Sequence, residues 1–157
     1  MSDKLDVVGI GNAMVDAIIP SNQSEIEKHE INRDSMNLID ENLKNNLHES
    51  YSIREMAGGG SLGNSMFGIT SFGGNGSFIG KIKNDEVGIF LQKDMVREGL
   101  QFPLGFTSPD ISTGCCTIFV EEDGTRTMCT FLGAGTLIGP DDINDQHIKN
   151  HKIAYLE

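Results

Sequence analysis

The sequence has 157 residues, enough for one domain with a substantial core but too few for two ordinary domains. Hydrophobic residues make up 38% of the chain and charged residues 22%, which indicates a globular rather than a disordered protein. The net charge of −11, with no cluster of Lys or Arg, argues against binding of a nucleic-acid backbone. The charged amino terminus and the lack of a run of about 20 apolar residues argue against a signal peptide and a membrane span. We therefore expect a cytoplasmic protein that acts on a small molecule, with neither a nucleic acid nor a membrane as partner.

Strand and helix patterns alternate through the first third of the chain. Residues 5–10 form an apolar run that ends in glycine and predict a buried strand, and residues 14–19 predict a second strand. Residues 24–30 predict a short helix, and Asp40 is placed to cap another. Residues 52–56 predict an extended segment that leads to three successive glycines.

The middle of the chain predicts a parallel α/β arrangement. A helix from Ser61 to Gly73 is predicted from one apolar stripe, made of Leu62, Met66, Ile69 and Phe72. Residues 76–82 predict a strand. A further helix, capped by Asn84 or Asp85 and stopped by Gly99, carries Val87, Leu91 and Met95 on one face. Strand–helix alternation of this kind is typical of parallel sheets.

The last third of the chain changes to a hairpin pattern. Residues 112–120 and 125–132 read as two strands joined through Asp123-Gly124, a dipeptide that suits a tight hairpin turn. Residues 140–148 predict a helix and residues 152–156 a buried strand. A parallel sheet that stops on a strand lacks its next covering helix, so we expect the chain to be truncated.

Cysteine and histidine placement predicts no metal centre. Cys115, Cys116 and Cys129 lie in strand-like segments without CxxC spacing, which favours buried, reduced thiols over metal or redox chemistry. The four histidines show no metal-ligand spacing and are predicted to be surface residues.

The first candidate site follows the first strand, in residues 9–16. Its opening resembles the dinucleotide fingerprint GxGxxG, but Met14 replaces the third glycine and β-rich residues follow in place of a helix. Alternatively, Asn12 and Asp16 project into the crevice at the carboxyl edge of the sheet, where a carboxylate can accept hydrogen bonds from the two hydroxyls of a sugar diol. A third interpretation makes Asn12 and Asp16 turn and capping residues.

The second candidate site is the glycine cluster at residues 57–64. Glycines directly before a helix leave backbone N–H groups free to donate, and the amide of Asn64 in the first turn can both donate to and accept from a hydroxyl. No Gly-Lys-Ser/Thr follows, so a neutral polyol suits this loop better than a phosphate. The alternative is a structural turn with tight helix packing through Gly63 and Gly68.

The third candidate is Arg126, beside the predicted hairpin turn. A single Arg at such a place is usually a solvated surface charge. The functional alternative is an Arg on a mobile flap that faces a phosphate.

Taken in order, these clusters resemble the ribokinase-like (PfkB) carbohydrate kinases, in particular the bacterial adenosine kinase-like branch. The resemblance spans about 120 residues and is carried by Val7-Val8-Gly9-Ile10-Gly11-Asn12, Gly59-Gly60-Ser61-Leu62-Gly63-Asn64, Gly80-Lys81-Ile82-Lys83-Asn84-Asp85, Thr113-Gly114-Cys115-Cys116 and Asp123-Gly124-Thr125-Arg126. It implies a parallel, Rossmann-like central sheet with helices on both faces and a small β-sheet lid, drawn from about residues 12–56 and 108–135. It also implies that only the N-terminal half is present and that the ATP-binding half is absent.

The resemblance implies transfer of the ATP γ-phosphoryl, with Mg²⁺, to a hydroxyl of a nucleoside or sugar. Asp16, Gly60 and Asn64, beside Gly59, would hold the ribose hydroxyls, and Arg126 would face the transferring phosphate. The nucleoside side of the pocket would be lined by Asn12, Met36, Cys116, Leu132 and Ala134. Lid strands also mediate homodimers in some members of the family, and the sequence leaves open whether this chain forms such a dimer.

The resemblance has one large gap. The Gly-Ala-Gly-Asp motif that supplies the family's anion hole and catalytic base does not occur, because Gly133-Ala134-Gly135 is followed by Thr136. We therefore expect the chain to supply acceptor binding and the lid, and to be inactive as a kinase alone. A non-catalytic nucleoside- or sugar-binding module is the alternative.

Overall fold

The computed structural model describes residues 4–108 and 110–157, without the side chain of Phe106. The strands in these residues are β1 (Leu5–Ile10), β2 (Met14–Pro20), β3 (Met36–Leu38), β4 (Glu55–Gly59), β5 (Gly76–Ile79), β6 (Ile82–Lys83), β7 (Phe106–Ser108), β8 (Gly114–Val120), β9 (Arg126–Phe131) and β10 (His151–Leu156). The helices are α1 (Gln23–Glu27), α2 (Glu41–Ser50), α3 (Ser61–Ser71), α4 (Glu86–Arg97) and α5 (Asp145–Lys149). Short 3-10 turns cover Gly133–Leu137 and Pro140–Asp142.

A three-stranded parallel sheet with the order β10-β1-β5 forms the centre of the fold. Helices α3 and α4 pack on it through a core formed by Val7, Leu62, Met66, Phe78, Leu91 and Met95. Gly9 allows α3 to pack closely on the sheet, because a Cβ at this position would lie 2.9 Å from the sulfur of Met66. The predicted α/β class with a parallel central sheet is confirmed.

A five-stranded mixed sheet stands beside the central one, with the order β3-β9-β8-β2-β4. Strands β2 and β8 are parallel, and β2–β4 and β8–β9 are antiparallel. Helices α1 and α2 cover one of its faces with a second core, made of Ile19, Ile26, Leu47, Phe119 and Cys129. Its strands come from residues 14–59 and 114–131; that this sheet acts as a lid stays a prediction.

A hydrogen-bond network around Asp85 ties the start of β8 to the start of α4. Asp85 Oδ1 caps α4 by accepting from the Gly88 N–H at 2.7 Å and from the Thr113 hydroxyl at 2.8 Å. Its other carboxylate oxygen accepts from the Thr113 N–H at 2.9 Å, and the Thr113 hydroxyl accepts from the Lys83 N–H at 3.0 Å. The predicted cap at residue 84 or 85 is therefore Asp85, and it also anchors the strand that carries Cys116.

Four predictions for single elements are wrong. The strand predicted over residues 152–156 forms as part of β10, but these residues are exposed and not buried. Residues 140–148 do not form one helix, because Asn144 caps a new, shorter helix after the 3-10 turn. Phe72 does not belong to the buried stripe of α3: it follows the last residue of the helix and is 94% exposed. The strand predicted over residues 76–82 breaks after Ile79 into β5 and β6.

The strand β2 excludes the dinucleotide interpretation of residues 9–16 and a turn or capping role for Asp16. A dinucleotide fingerprint requires a helix directly after Gly11, and the structure has a strand from Met14 instead. Asp16 lies within that strand, paired on both sides, so it is neither a turn nor a capping residue.

The prediction of buried, reduced cysteines is confirmed, and the prediction of a surface position is wrong for His151. All three cysteines are free and buried, and burial raises the pKa of the Cys115 and Cys129 thiols to about 12. His151 is 5% exposed, and its Nε2 lies 2.7 Å from the hydroxyl of Ser77, which also lies 2.9 Å from Nε2 of His147. Because the His151 Nδ1–H donates to the carbonyl of His147, Nε2 of a neutral His151 must accept the Ser77 proton.

No helix among the described residues is long and apolar enough to span a bilayer.

Candidate functional site

Asp16 and Gly59 meet where β2 pairs with β4. The β2–β4 register places Gly59 opposite Met14 and Ala57 opposite Asp16. A Cβ on Gly59 would lie 2.2 Å from Cγ of Asp16 and 2.4 Å from each carboxylate oxygen. The Asp16 carboxyl group therefore occupies the space that any side chain at position 59 would need.

The Asp16 carboxylate has no hydrogen-bond donor among the described residues of the chain. It is half-buried, and burial raises its pKa above the ordinary value. Buried polar groups are normally satisfied by the protein or by water. A half-buried carboxylate without a protein donor can therefore accept hydrogen bonds from the hydroxyls of a ligand.

The amino terminus of α3 opens beside Asp16. Gly60 precedes the helix with φ of 76°, a conformation that favours glycine, and no side chain caps the first turn. A cleft of about 160 Å³ lies at this end of the helix and is lined by Asn12, Met14, Gly60, Ser61, Leu62, Leu132 and Glu157. Three predicted site residues, Asn12, Gly60 and Leu132, thus share one cleft with free N–H groups pointing from the helix.

Asn64 lies in the first turn of the same helix. Its side chain is exposed, and its backbone N–H donates to the carbonyl of Gly60 at 2.9 Å. The prediction of tight helix packing through Gly63 and Gly68 is wrong. A Cβ on Gly63 would meet only Phe67, at 3.9 Å, and a Cβ on Gly68 would meet nothing within 4 Å.

Strand register places Cys116 beside Asp16. Asp16 pairs with Cys116 of β8, and Cys116 pairs with Thr130 of β9, so the three side chains lie in a row on the face that α1 and α2 leave uncovered. The Thr130 hydroxyl donates to Sγ of Cys116 at 3.3 Å, and burial raises the pKa of this thiol to about 11. The row is polar at Asp16 and chemically inert at Cys116.

Met36 and Arg126 share this face but lie farther from Asp16. Met36 pairs with Met128 on the edge of the sheet and is 55% exposed. Arg126 pairs with Val120, four residues along β9 from Thr130, which is about 13 Å at the usual rise of a strand. The structure does not bring Arg126 to the Asp16 carboxylate, and its role toward a phosphate stays a prediction.

Ala134 lies in the 3-10 turn behind the cleft. Its side chain is fully buried, and its N–H donates to the carbonyl of Ser112 at 2.8 Å. Gly135 next to it lies against Asn12, since a Cβ on Gly135 would be 2.9 Å from the Asn12 side-chain oxygen. The structure therefore places Ala134 under the site and not on its surface.

Two residues at the site were missed by sequence reasoning. Ser61 begins α3 and lines the cleft, where its hydroxyl contacts the carboxylate of Glu157. Thr130 follows from the hairpin register, because a turn at Asp123-Gly124 sets it opposite Cys116. The turn residues are visible in the sequence, so the pairing of Thr130 with Cys116 could have been predicted from them.

Larger clefts lie elsewhere. Those of about 530, 480 and 340 Å³ lie around Pro20, beside His147 and beside Asp123, and none of them contains a predicted site residue. Another, of about 280 Å³, is lined by Leu132 and Thr130 but not by Asp16 or Gly60. Cleft size alone therefore does not locate the candidate site in this chain; the unpaired carboxylate and the free helix terminus do.

Comparison with known proteins identifies the family. Residues 5–157 match the model of the pfkB family carbohydrate kinases. The chain belongs to this family, and the predicted family resemblance is confirmed.

Solved structures and sequence relatives agree with this assignment. An adenosine kinase from Sinorhizobium meliloti is 35% identical with a TM-score of 0.87, and a probable sugar kinase from Rhizobium etli CFN 42 is 31% identical with a TM-score of 0.86. Each comparison covers 98% of this chain and 47% of the other. A probable fructokinase from Arabidopsis thaliana is 29% identical over 104 residues, which is 62% of this chain and 30% of the plant protein. The chain thus spans about half the length of the solved structures it matches.

Proposed function

We propose that this chain binds the acceptor of a kinase, a nucleoside or sugar, through neighbouring hydroxyl groups. In the whole protein the reaction would be transfer of the ATP γ-phosphoryl to a hydroxyl of that acceptor, with adenosine as the first candidate. The observation that carries the proposal is the half-buried Asp16 carboxylate, which has no donor among the described residues and lies against Gly59, two residues before α3 begins. The family and the similarity to an adenosine kinase support it.

Each residue of the site has a distinct part in this proposal. The Asp16 carboxylate accepts from two adjacent hydroxyls, as of a ribose, and its charge has no competing donor within the described residues. The first N–H groups of α3 and the Asn64 amide hold hydroxyl oxygens. Gly59 keeps the approach open, and Cys116 with Met36 provides an apolar surface for a base.

ATP and Mg²⁺ enter this proposal through the family alone. Among the described residues, no three His, Cys, Asp or Glu side chains are grouped so as to hold a metal ion. Gly133-Ala134-Gly135 is followed by Thr136, which cannot act as a carboxylate base. The part proposed for this chain is therefore to bind and orient the acceptor.

A ligand titration tests the binding proposal. Adenosine, 2′-deoxyadenosine, ribose and fructose are titrated into the purified chain and followed by NMR. We expect adenosine to shift the amides of Gly60 and Ser61, and 2′-deoxyadenosine to bind at least about tenfold more weakly because one diol oxygen is missing. Equal binding of the two nucleosides would contradict a diol site. A response to fructose without one to adenosine would change the substrate class.

A kinase assay tests the inactivity of the chain alone. With ATP, Mg²⁺ and adenosine, we expect no AMP above background, because the Gly-Ala-Gly-Asp motif expected to supply the base and the anion hole does not occur in this sequence. A full-length adenosine kinase in the same assay is the positive control. AMP formation by the chain at a rate near that of this control would contradict the proposal.

A further inference from the structure

Asp94 is a buried carboxylate that the proposed binding chemistry does not use. It lies in α4, is 5% exposed, and contacts two partners. Its Oδ2 accepts from the Gly58 N–H at 2.8 Å, and its Oδ1 pairs with the exposed Arg97 one turn along the helix. Burial of a carboxylate is costly unless its bonds compensate, so the Gly58 contact requires a physical explanation.

The position of β4 in its sheet explains the contact. Among the described residues, β4 lies at the edge of the mixed sheet and pairs with β2. The Gly58 N–H donates to a side chain of α4, a helix outside this sheet. Asp94 therefore joins a helix that packs on the parallel sheet to the edge strand of the mixed sheet.

The contact is close, and a side chain at position 58 would displace the groups around it. A Cβ on Gly58 would lie 2.7 Å from the ring of Phe67 and 2.9 Å from Oδ2 of Asp94. The next residue is Gly59, which lies against the Asp16 carboxyl group, and Gly60 then precedes α3 as its N-cap residue. Asp94 therefore holds the backbone one residue before the contact that sets the space around Asp16.

We propose that Asp94 is a positioning residue of the acceptor site, which holds the Gly58 N–H and thereby fixes Gly59 against the Asp16 carboxylate. This rests on the proposed function of Asp16 as the ligand of the acceptor hydroxyls. Asp94 does not touch the acceptor. It acts through the backbone of β4, and without it the edge strand separates from α4 and water enters beside Asp16.

Three variants separate this role from general stability. Asp94→Ala removes the acceptor of the Gly58 bond. Asp94→Asn keeps an acceptor oxygen of the same reach and loses only the charge. Arg97→Gln removes the exposed ion pair and leaves the Gly58 bond in place. The readouts are hydrogen exchange of the Gly58 amide, the pH titration of the Asp16 carboxyl carbon by NMR, and adenosine affinity.

The expected pattern is specific. In Asp94→Ala the Gly58 amide exchanges at least about tenfold faster and adenosine binds about tenfold more weakly. The raised pKa of Asp16 falls toward its ordinary value, because hydration replaces burial. In Asp94→Asn and Arg97→Gln the Gly58 exchange rate and the adenosine affinity stay within about twofold of the unchanged chain, and the pKa of Asp16 stays raised.

Two outcomes would overturn the proposal. One is Asp94→Ala with Gly58 exchange and Asp16 titration as in the unchanged chain; the other is Asp94→Asn with losses as large as those of Asp94→Ala. If Asp94→Ala does not fold, Asp94→Glu displaces the carboxylate by one methylene, and an unchanged Asp16 titration in it overturns the proposal equally. If the unchanged chain binds no nucleoside or sugar, the proposed function fails, while Gly58 exchange and Asp16 titration still decide the role of Asp94.

Discussion

Gly59 and Asp16 occupy complementary space: the carboxyl group of Asp16 fills the volume that a side chain on Gly59 would take. The two residues lie on the antiparallel strands β2 and β4. The residue after Gly59 is Gly60, the N-cap residue of helix α3. Glycine at position 59 is thus required by the side chain of a neighbouring strand, and not by its own backbone conformation, because the glycines with positive φ include Gly60 but not Gly59.

Gly59→Ala should abolish acceptor binding while the chain stays folded. The new methyl group forces the Asp16 carboxyl to turn away, and we expect adenosine affinity to fall at least about tenfold. Isothermal calorimetry measures the affinity, and circular dichroism checks the fold. The matched control is Gly68→Ala in α3, which meets no neighbour within 4 Å and should leave binding unchanged. Equal affinity of Gly59→Ala and the control would contradict the prediction.

Asp16→Asn should abolish binding and stabilise the fold at neutral pH. The folded-state pKa of Asp16 is raised by burial, so its charge disfavours folding above that pKa, and the penalty disappears as the pH falls toward the ordinary value of 3.8. The gain in unfolding free energy should therefore be larger at pH 7 than near pH 4. Urea unfolding at both pH values measures it, with Asp141→Asn as an exposed control. A variant less stable than the unchanged chain at pH 7 would contradict the burial argument.

His48→Gln should make the unfolding free energy fall less between pH 7 and pH 5. Burial, with the nearby charge of Lys44, lowers the pKa of His48, whose Nε2 lies 2.9 Å from the Thr117 hydroxyl. The unfolded chain binds a proton near pH 6.5 before the folded chain does, so His48 makes stability fall as the pH drops below that value. Urea unfolding at pH 7 and pH 5 should show a smaller difference for the variant. A His48 ring that titrates by NMR at or above its ordinary pKa would overturn this expectation.

Gly88→Ala should destabilise the chain strongly. A Cβ on Gly88 would lie 2.1 Å from the carbonyl oxygen of Lys83 and 2.7 Å from the hydroxyl of Thr113, so the network around Asp85 must open. We expect a loss of more than about 2 kcal/mol in unfolding free energy. Gly68→Ala in the open helix surface should instead gain about 0.5 to 1 kcal/mol. Similar unfolding free energies for the two variants would show that the backbone around Gly88 yields easily.

Local signals in the sequence were sufficient for most of the elements. Asp40 and Asp85 cap the helices that they were predicted to cap, because an N-cap bond joins groups three residues apart. The Asp123-Gly124 turn and the strand over residues 14–20 were likewise readable, since Gly124 has φ of 86° and β-rich residues precede Pro20. Each of these depends on neighbours within a few residues.

The sequence predicted Asp16 as a carboxylate near the edge of a sheet, but it did not predict which side chains surround this carboxylate. Only the family resemblance placed Asp16 and the glycine cluster in one site. The tertiary structure brought Gly59 into contact with Asp16, put Thr130 in its row, and joined Asp94 to Gly58 across 36 residues. It also buried His151 against Ser77, where spacing predicted a surface residue. Strand order and the burial of polar groups depend on long-range pairing, and no periodicity within one segment records which distant segment will cover it.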